Sequence, residues 1–260
     1  MAFTLTTLAG LSTMVGSFLV LFTKRTSTKI LSVSLGFSAG VMVYVSFMEL
    51  LPEARLRLVS QFGSLAGNWY AVAAFFGGVL LIGIIDKLVP AIENPHETHA
   101  VRDLKNKKNL DLLRTGTFTA LAIAIHNFPE GMATFTATLT DRTLGLFIAM
   151  AIAIHNVPEG IAVAIPIYHA TGSKRKALWY TFLSAVAEPL GAVAAYLLFH
   201  DYLTDAVFGV ILAGVAGIMV FISFDELFPT ARDCGQHHLA IYGLLAGMAV
   251  MAVSLLLFVR

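Results

Sequence analysis

The sequence predicts an all-α integral membrane protein of eight transmembrane helices, and three observations carry that prediction. Hydrophobic residues make up 57% of the 260 and charged residues only 13%, against about a quarter charged in an ordinary soluble domain. Mean hydropathy is +0.80. Cut at its polar clusters, the chain falls into eight apolar stretches, roughly 4–22, 31–51, 69–89, 113–137, 144–166, 177–199, 206–228 and 239–259. Each is close to the ~20 residues a helix needs to cross a bilayer. The connectors are short, as in "TKRTSTK", "TGSKRKA" and "HDYLTD", apart from "ENPHETHAVRDLKNKKN" (93–109). Residues 1–260 therefore read as one polytopic transmembrane domain with no room for a soluble one.

The first span lies in "MAFTLTTLAGLSTMVGSFLVLF". It lacks the basic start and cleavage site of a signal peptide, so it reads as retained. The second contains "AGVMVYVSFMELLPEAR" (39–55), which returns in the seventh as "AGIMVFISFDELFPTAR" (216–232), identical at 11 of 17 positions. The third and eighth are apolar throughout. The fourth contains "ALAIAIHNFPEGMAT" (120–134) and the fifth "AMAIAIHNVPEGIAV" (149–163), identical at 11 of 15. The sixth carries "SAVAEPLGAVAAY", with Glu188 near its middle. Spans two and seven run in opposite directions, as do four and five. Nested likenesses of this kind are what inverted-topology repeats give, and such repeats place a binding site near the bilayer midplane.

Thirteen of the 17 Lys and Arg fall on one side if the N-terminus is outside, leaving Arg55, Arg57, Arg142 and Arg260 opposite. Basic loops stay cytoplasmic, so both termini are expected on the outer face. The lone Cys234 excludes an internal disulfide framework. A net charge of +1 gives no handle for nucleic acid.

A histidine, an asparagine, a glutamate and a proline are costly in a membrane helix, yet this chain repeats all four. On a helix His126 and Glu130 are four apart and Asn127 is three before Glu130, so the three share a face. The same holds for His155, Asn156 and Glu159. Pro129 cannot donate to the carbonyl of Ile125, nor Pro158 to that of Ile154, so each helix is expected to loosen there. Imidazole nitrogen with amide and carboxylate oxygen suits Zn²⁺, Fe²⁺, Mn²⁺ or Co²⁺ rather than Cu⁺. Glu130, Glu159 and Glu188 together carry three negative charges. One divalent ion leaves that cluster negative, which favours two ions, or one ion and a proton. An isolated intramembrane His or Glu can simply bridge helices; a duplicated hexapeptide with a further Glu-Pro is harder to explain that way. Glu49, Glu53, Asp225 and Glu226 lie near span ends, where an interfacial carboxylate is ordinary.

With these residues the sequence resembles the ZIP (Zrt/Irt-like) divalent metal transporters, and among them the bacterial members. The resemblance rests on "HNFPEG" in span four, "HNVPEG" in span five, "AEPLGA" in span six and the eight-span length. It implies a secondary transporter in the bacterial inner membrane that takes Zn²⁺ and other divalent ions (Fe²⁺, Mn²⁺, Co²⁺, Cd²⁺) into the cytoplasm. Those ions would be cargo, with no prosthetic group. It also implies a binuclear centre, one site using His126, Glu130, His155 and Glu159, the other Asn127, Glu130, Asn156, Glu159 and Glu188. A bundle of spans one, four, five and six would slide against a scaffold of two, three, seven and eight. The inner loop, usually His-rich in that family, holds only His96 and His99 here. Expected partners are divalent metal ions and the lipid bilayer, with no nucleic acid and homodimerisation left open. Two other readings share the ligand set: a membrane-embedded di-metal enzyme, although the one Glu-x-x-His string, "ENPH" (93–96), lies outside the apolar stretches and H-E-x-x-H does not occur, and a metal-selective channel.

Overall fold

The computed structural model describes residues 1–22, 28–88, 109–199, 202, 204–233 and 237–258, and no strand occurs among them. Eight helical rods account for the described residues. Helix α1 is Ala2–Phe22. Helix α2 runs without a break through Thr28–Val45, a π turn at Ser46–Leu50, and Leu51–Phe62. Helices α3, α4 and α5 are Ser64–Leu88, Asn109–Thr140 and Arg142–Thr171. Helix α6 joins Lys174–Ala185 to Ala187–Phe199 through a turn at Val186. Helix α7 joins Asp205–Ile222, a second π turn at Ser223–Leu227, and Phe228–Asp233. Helix α8 is His237–Phe258.

Six segments are long and apolar enough to cross a membrane among the described residues: Ser32–Phe62, Ser64–Ile85, Arg142–Ile165, Lys174–Leu198, Asp205–Arg232 and His238–Leu256. Helix α1 adds the shorter apolar Ala2–Phe18. Helix α4 opens on the polar "NLDLLR" and then carries the first hexapeptide.

Tight connections follow local chemistry. Gly63 and Gly172 have φ of 80° and 61°, the only positive values among the described residues, and they end α2 and α5. Glycine reaches that region without a Cβ penalty. Asp141 starts α5 by accepting from the amides of Thr143 (2.7 Å) and Leu144 (3.2 Å), a cap that contributes about 1 kcal/mol.

The two long sequence echoes fold alike. In α2 the amide of Leu51 donates to Ser46 O, and in α7 the amide of Phe228 donates to Ser223 O, five residues back in each case. One position later stand Pro52 and Pro229, which have no N–H to resume the ordinary ladder. The prolines of the hexapeptides behave differently from expectation. Helices α4 and α5 run through Pro129 and Pro158 with no change of helix type, because losing one donor need not shift the register of the rest. The change in α6 comes at Val186, three residues before Pro189. Pro189 has no N–H for Ala185 O, and Gly10 of α1 packs against that carbonyl.

Helices meet through glycines placed against backbone carbonyls, the close approach that association in lipid relies on. Gly16 of α1 lies on Val157 O and Gly160 of α5 on Thr13 O. Gly191 of α6 lies on Phe128 O and Gly131 of α4 on Glu188 O. Elsewhere Gly40 of α2 meets Leu244 O and Gly247 of α8 meets Phe37 O, while Gly217 of α7 meets Phe75 O and Gly78 of α3 meets Gly214 O. A Cβ at any of these eight would overlap the carbonyl opposite. The contacts hold α1 to α5, α4 to α6, α2 to α8 and α3 to α7. Where α2 meets α7, Arg57 ties their ends: it reaches Glu53 (2.6 Å) and Asp205 (2.7 Å) and lies 4.6 Å over the ring of Phe208.

Candidate metal centre

Helices α4, α5 and α6 bring their polar residues to one place because each presents a single polar face to the others. Asn127, Glu130, His155, Asn156, Glu159 and Glu188 are all fully buried. His155 Nε2 lies 3.3 Å from Glu130 Oε2, which joins α5 to α4. Asn156 donates through Nδ2 to Glu188 Oε1, which joins α5 to α6. His126 stands on α4 one residue before Asn127, and its side chain lies outside the described residues. His96 and His99 also lie outside them.

The two asparagines are held in matching ways. Asn156 Nδ2 donates to Ala9 O of α1 at 3.0 Å, and Asn127 Nδ2 donates to Ser184 O of α6 at 3.5 Å. Turning either amide over would set oxygen against oxygen, so each NH₂ is fixed on a neighbouring helix. The freed Oδ1 atoms are buried and have no hydrogen-bond partner among the described residues, and the same is true of Glu130 Oε1 and Glu188 Oε2. Four such acceptors sealed from water are costly, and an ionised carboxylate costs several kcal/mol unless a cation or donor meets it. Among the described residues no three His, Cys, Asp or Glu side chains close around one point; His155 meets Glu130, and Asn156 meets Glu188.

One participant has no signature in the hexapeptides. Ser38 of α2 donates toward Glu159 Oε1 and lies 3.3 Å from both that atom and His155 O. It brings the second helix group to the edge of the centre. Ser184 Oγ donates to Ala120 O at 2.6 Å, bracing α6 on α4. The carboxylates expected near span ends lie inside longer helices: Glu49 is in the first π turn, and Asp225 and Glu226 are in the second.

A sealed group of carboxylates, amides and imidazole within apolar helices defines a multi-pass membrane protein of the ion-transporter class. The family described as ZIP Zinc transporter matches residues 1–111 and 93–255, and the chain belongs to that family. It is 55% identical over 274 residues to a Clostridium perfringens (strain 13 / Type A) protein called Zinc transporter ZupT, covering 100% of this chain and 96% of that one. A Streptococcus mutans relative of the same name is 56% identical over 258 residues, with 99% and 97% covered. One from Chlorobium phaeovibrioides is 57% identical over 258 residues, with 98% and 97% covered. This is a family of transporters, not of enzymes, which sets aside the di-metal enzyme.

Proposed function

We propose that this chain carries Zn²⁺, and with it Fe²⁺, Mn²⁺, Co²⁺ and Cd²⁺, into the cytoplasm through a binuclear intramembrane site. The observation that carries the reading is the burial of Glu130, Glu159 and Glu188 together, with one oxygen each of Glu130 and Glu188 lacking any hydrogen-bond partner among the described residues. Three carboxylates in a bilayer need cations. His126, Glu130, His155 and Glu159 hold one ion; Asn127, Glu130, Asn156, Glu159 and Glu188 hold the other, with Glu130 and Glu159 shared. The asparagines suit this role because their NH₂ groups are anchored on α6 and α1 while each Oδ1 is left as a neutral ligand.

Alternating access would follow from inverted repeats in which α1 answers to α6, α2 to α7, α3 to α8 and α4 to α5. The twin glycine contacts and the twin π turns support that relation. The protein sits in the bacterial inner membrane with both termini outside, as the basic loops indicate. A second copy would pack on α3 and α8, whose apolar windows are each only 22% buried.

The deciding experiment is ⁶⁵Zn uptake by the purified protein in vesicles, wild type against Glu130→Ala. Because Glu130 lies in both ligand sets, the substitution abolishes saturable uptake. Wild-type uptake by the variant would refute the centre as assigned, and uptake that never saturates would point to a channel.

A further inference from the structure

Helix α1 touches the centre through the carbonyl of Ala9, yet it also holds a buried hydroxyl that no described residue satisfies. Thr13 is fully buried, and its Oγ1 has no hydrogen-bond partner among the described residues. A threonine inside a helix commonly donates to the carbonyl one turn back. Thr6, Thr134, Thr138 and Thr181 all do so here. For Thr13 that carbonyl belongs to Ala9. Besides its helical N–H partner, Ala9 O already accepts from Ser12 Oγ at 2.6 Å and from Asn156 Nδ2 at 3.0 Å. A carbonyl has two lone pairs, so the hydroxyl of Thr13 is left over, one turn from the amide of Asn156.

Its place in the repeat says what it is left over for. Three contacts of α1 with α5 have counterparts between α6 and α4. Gly16 on Val157 O answers to Gly191 on Phe128 O, and Gly160 on Thr13 O answers to Gly131 on Glu188 O. Asn156 on Ala9 O answers to Asn127 on Ser184 O. A single offset of 175 residues carries α1 onto α6 in all three, and 29 carries α4 onto α5. Under that relation Thr13 is the counterpart of Glu188. Glu188 Oε1 accepts from Asn156 Nδ2, and the same operation turns this pair into Thr13 and Asn127. Asn127 Oδ1 is the other amide oxygen lacking a partner among the described residues.

We propose that Thr13 supplies a neutral oxygen to the transported divalent cation, together with Asn127 Oδ1, on the flank opposite Glu188. The inference rests on the metal-centre reading above. The difference between the flanks has a physical use. A carboxylate at both positions would raise the cluster to four negative charges, and a conducting site must bind weakly enough to release. A hydroxyl offers an oxygen without adding charge. Harder ions depend more on oxygen ligands, so Thr13 acts on the choice between Mn²⁺ and Zn²⁺.

The test uses the full chain, purified and reconstituted, as wild type, Thr13→Val, Thr13→Ala, Thr13→Ser and Glu130→Ala. Removing the hydroxyl lowers the ratio of Mn²⁺ to Zn²⁺ uptake about tenfold, the scale of one lost bond to a charged group. Thr13→Ser restores the ratio. In thermal unfolding without added metal, Thr13→Val is at least as stable as wild type, since an unsatisfied buried hydroxyl is gone, while its stabilisation by Mn²⁺ shrinks. Val and Ala variants with an unchanged Mn²⁺ to Zn²⁺ ratio, or with both ions reduced equally alongside lower metal-free stability, overturn the role of Thr13. In those cases an inactive Glu130→Ala leaves the centre standing. An active Glu130→Ala removes the centre and Thr13 with it.

Discussion

Glu188 and His155 bring different atoms to the centre, and substituting each should shift metal preference in opposite directions. Glu188→Gln keeps an oxygen beside Asn156 but replaces one of three buried carboxyl groups by a neutral amide. Ions that depend on carboxylate oxygen lose most, so Mn²⁺ and Fe²⁺ uptake falls further than Zn²⁺ uptake. His155→Ala removes the imidazole 3.3 Å from Glu130 Oε2, a proposed nitrogen ligand, and Zn²⁺ uptake is expected to suffer most. Uptake of the three metals, normalised to protein in the membrane, reads the difference; equal losses throughout would mean the two positions act as a single site. These residues were legible because a titratable side chain in an apolar span has few ordinary uses, and the duplication named six of them. Ser38 was not legible: a serine in a membrane helix usually bonds its own backbone, as Ser46 does to Met42 O at 2.7 Å. The carbonyls of Ala9 and Ser184 were beyond reach, since any residue supplies the same acceptor.

At the scale of the helix, glycine decides how near two rods come. Gly160→Ala would drive a Cβ into Thr13 O, and the obstacle is backbone that cannot swing aside. The expected cost is about 1–3 kcal/mol, as for other overpacking, with a matching loss at Gly131→Ala against Glu188 O. Gly77→Ala is the contrast, because nothing lies within 4 Å of the added carbon; alanine there should stabilise α3 by about 0.5–1 kcal/mol. Thermal unfolding of the three variants in one detergent checks the order, and a Gly160→Ala as stable as wild type would contradict the close approach. The same contacts show what sequence can and cannot disclose about repeats. The likeness of α2 to α7 and of α4 to α5 was readable from shared Pro, Glu, Asn and Arg. That of α1 to α6 was not, since over 9–18 the offset of 175 leaves only Gly16 and Gly191 identical. Lipid-facing positions accept any apolar residue of suitable size, so only the crossing glycine is constrained. The π turns were equally hidden: proline signals a lost donor, but Pro129 leaves α4 unbroken while Pro52 follows a widened turn.

For the whole molecule, direction of transport follows from which end of the bundle faces the cytoplasm. Eight helices in alternation put the ends at Phe22, Thr28, Leu88, Asn109, Thr171, Lys174, Asp233 and His237 on one side. The basic residues crowd there, whereas the connection between α4 and α5 offers Arg142 alone. The orientation proposed above, with positive charge retained on the cytoplasmic side, turns that end inward. A potential negative inside then favours entry of a divalent ion by about 4.6 kcal/mol per 100 mV, twice the value for one charge. The orientation is checked with two single cysteines in a Cys234→Ser background. Lys105→Cys lies in the connector between α3 and α4, outside the described residues; in intact cells it stays silent toward an impermeant thiol reagent and reacts once the membrane is opened. Arg142→Cys, exposed at the start of α5, reacts in intact cells. Labelling of Lys105→Cys from outside, with Arg142→Cys protected, would invert the molecule, and the same membrane potential would then oppose release of the ion at the end assigned here to the cytoplasm.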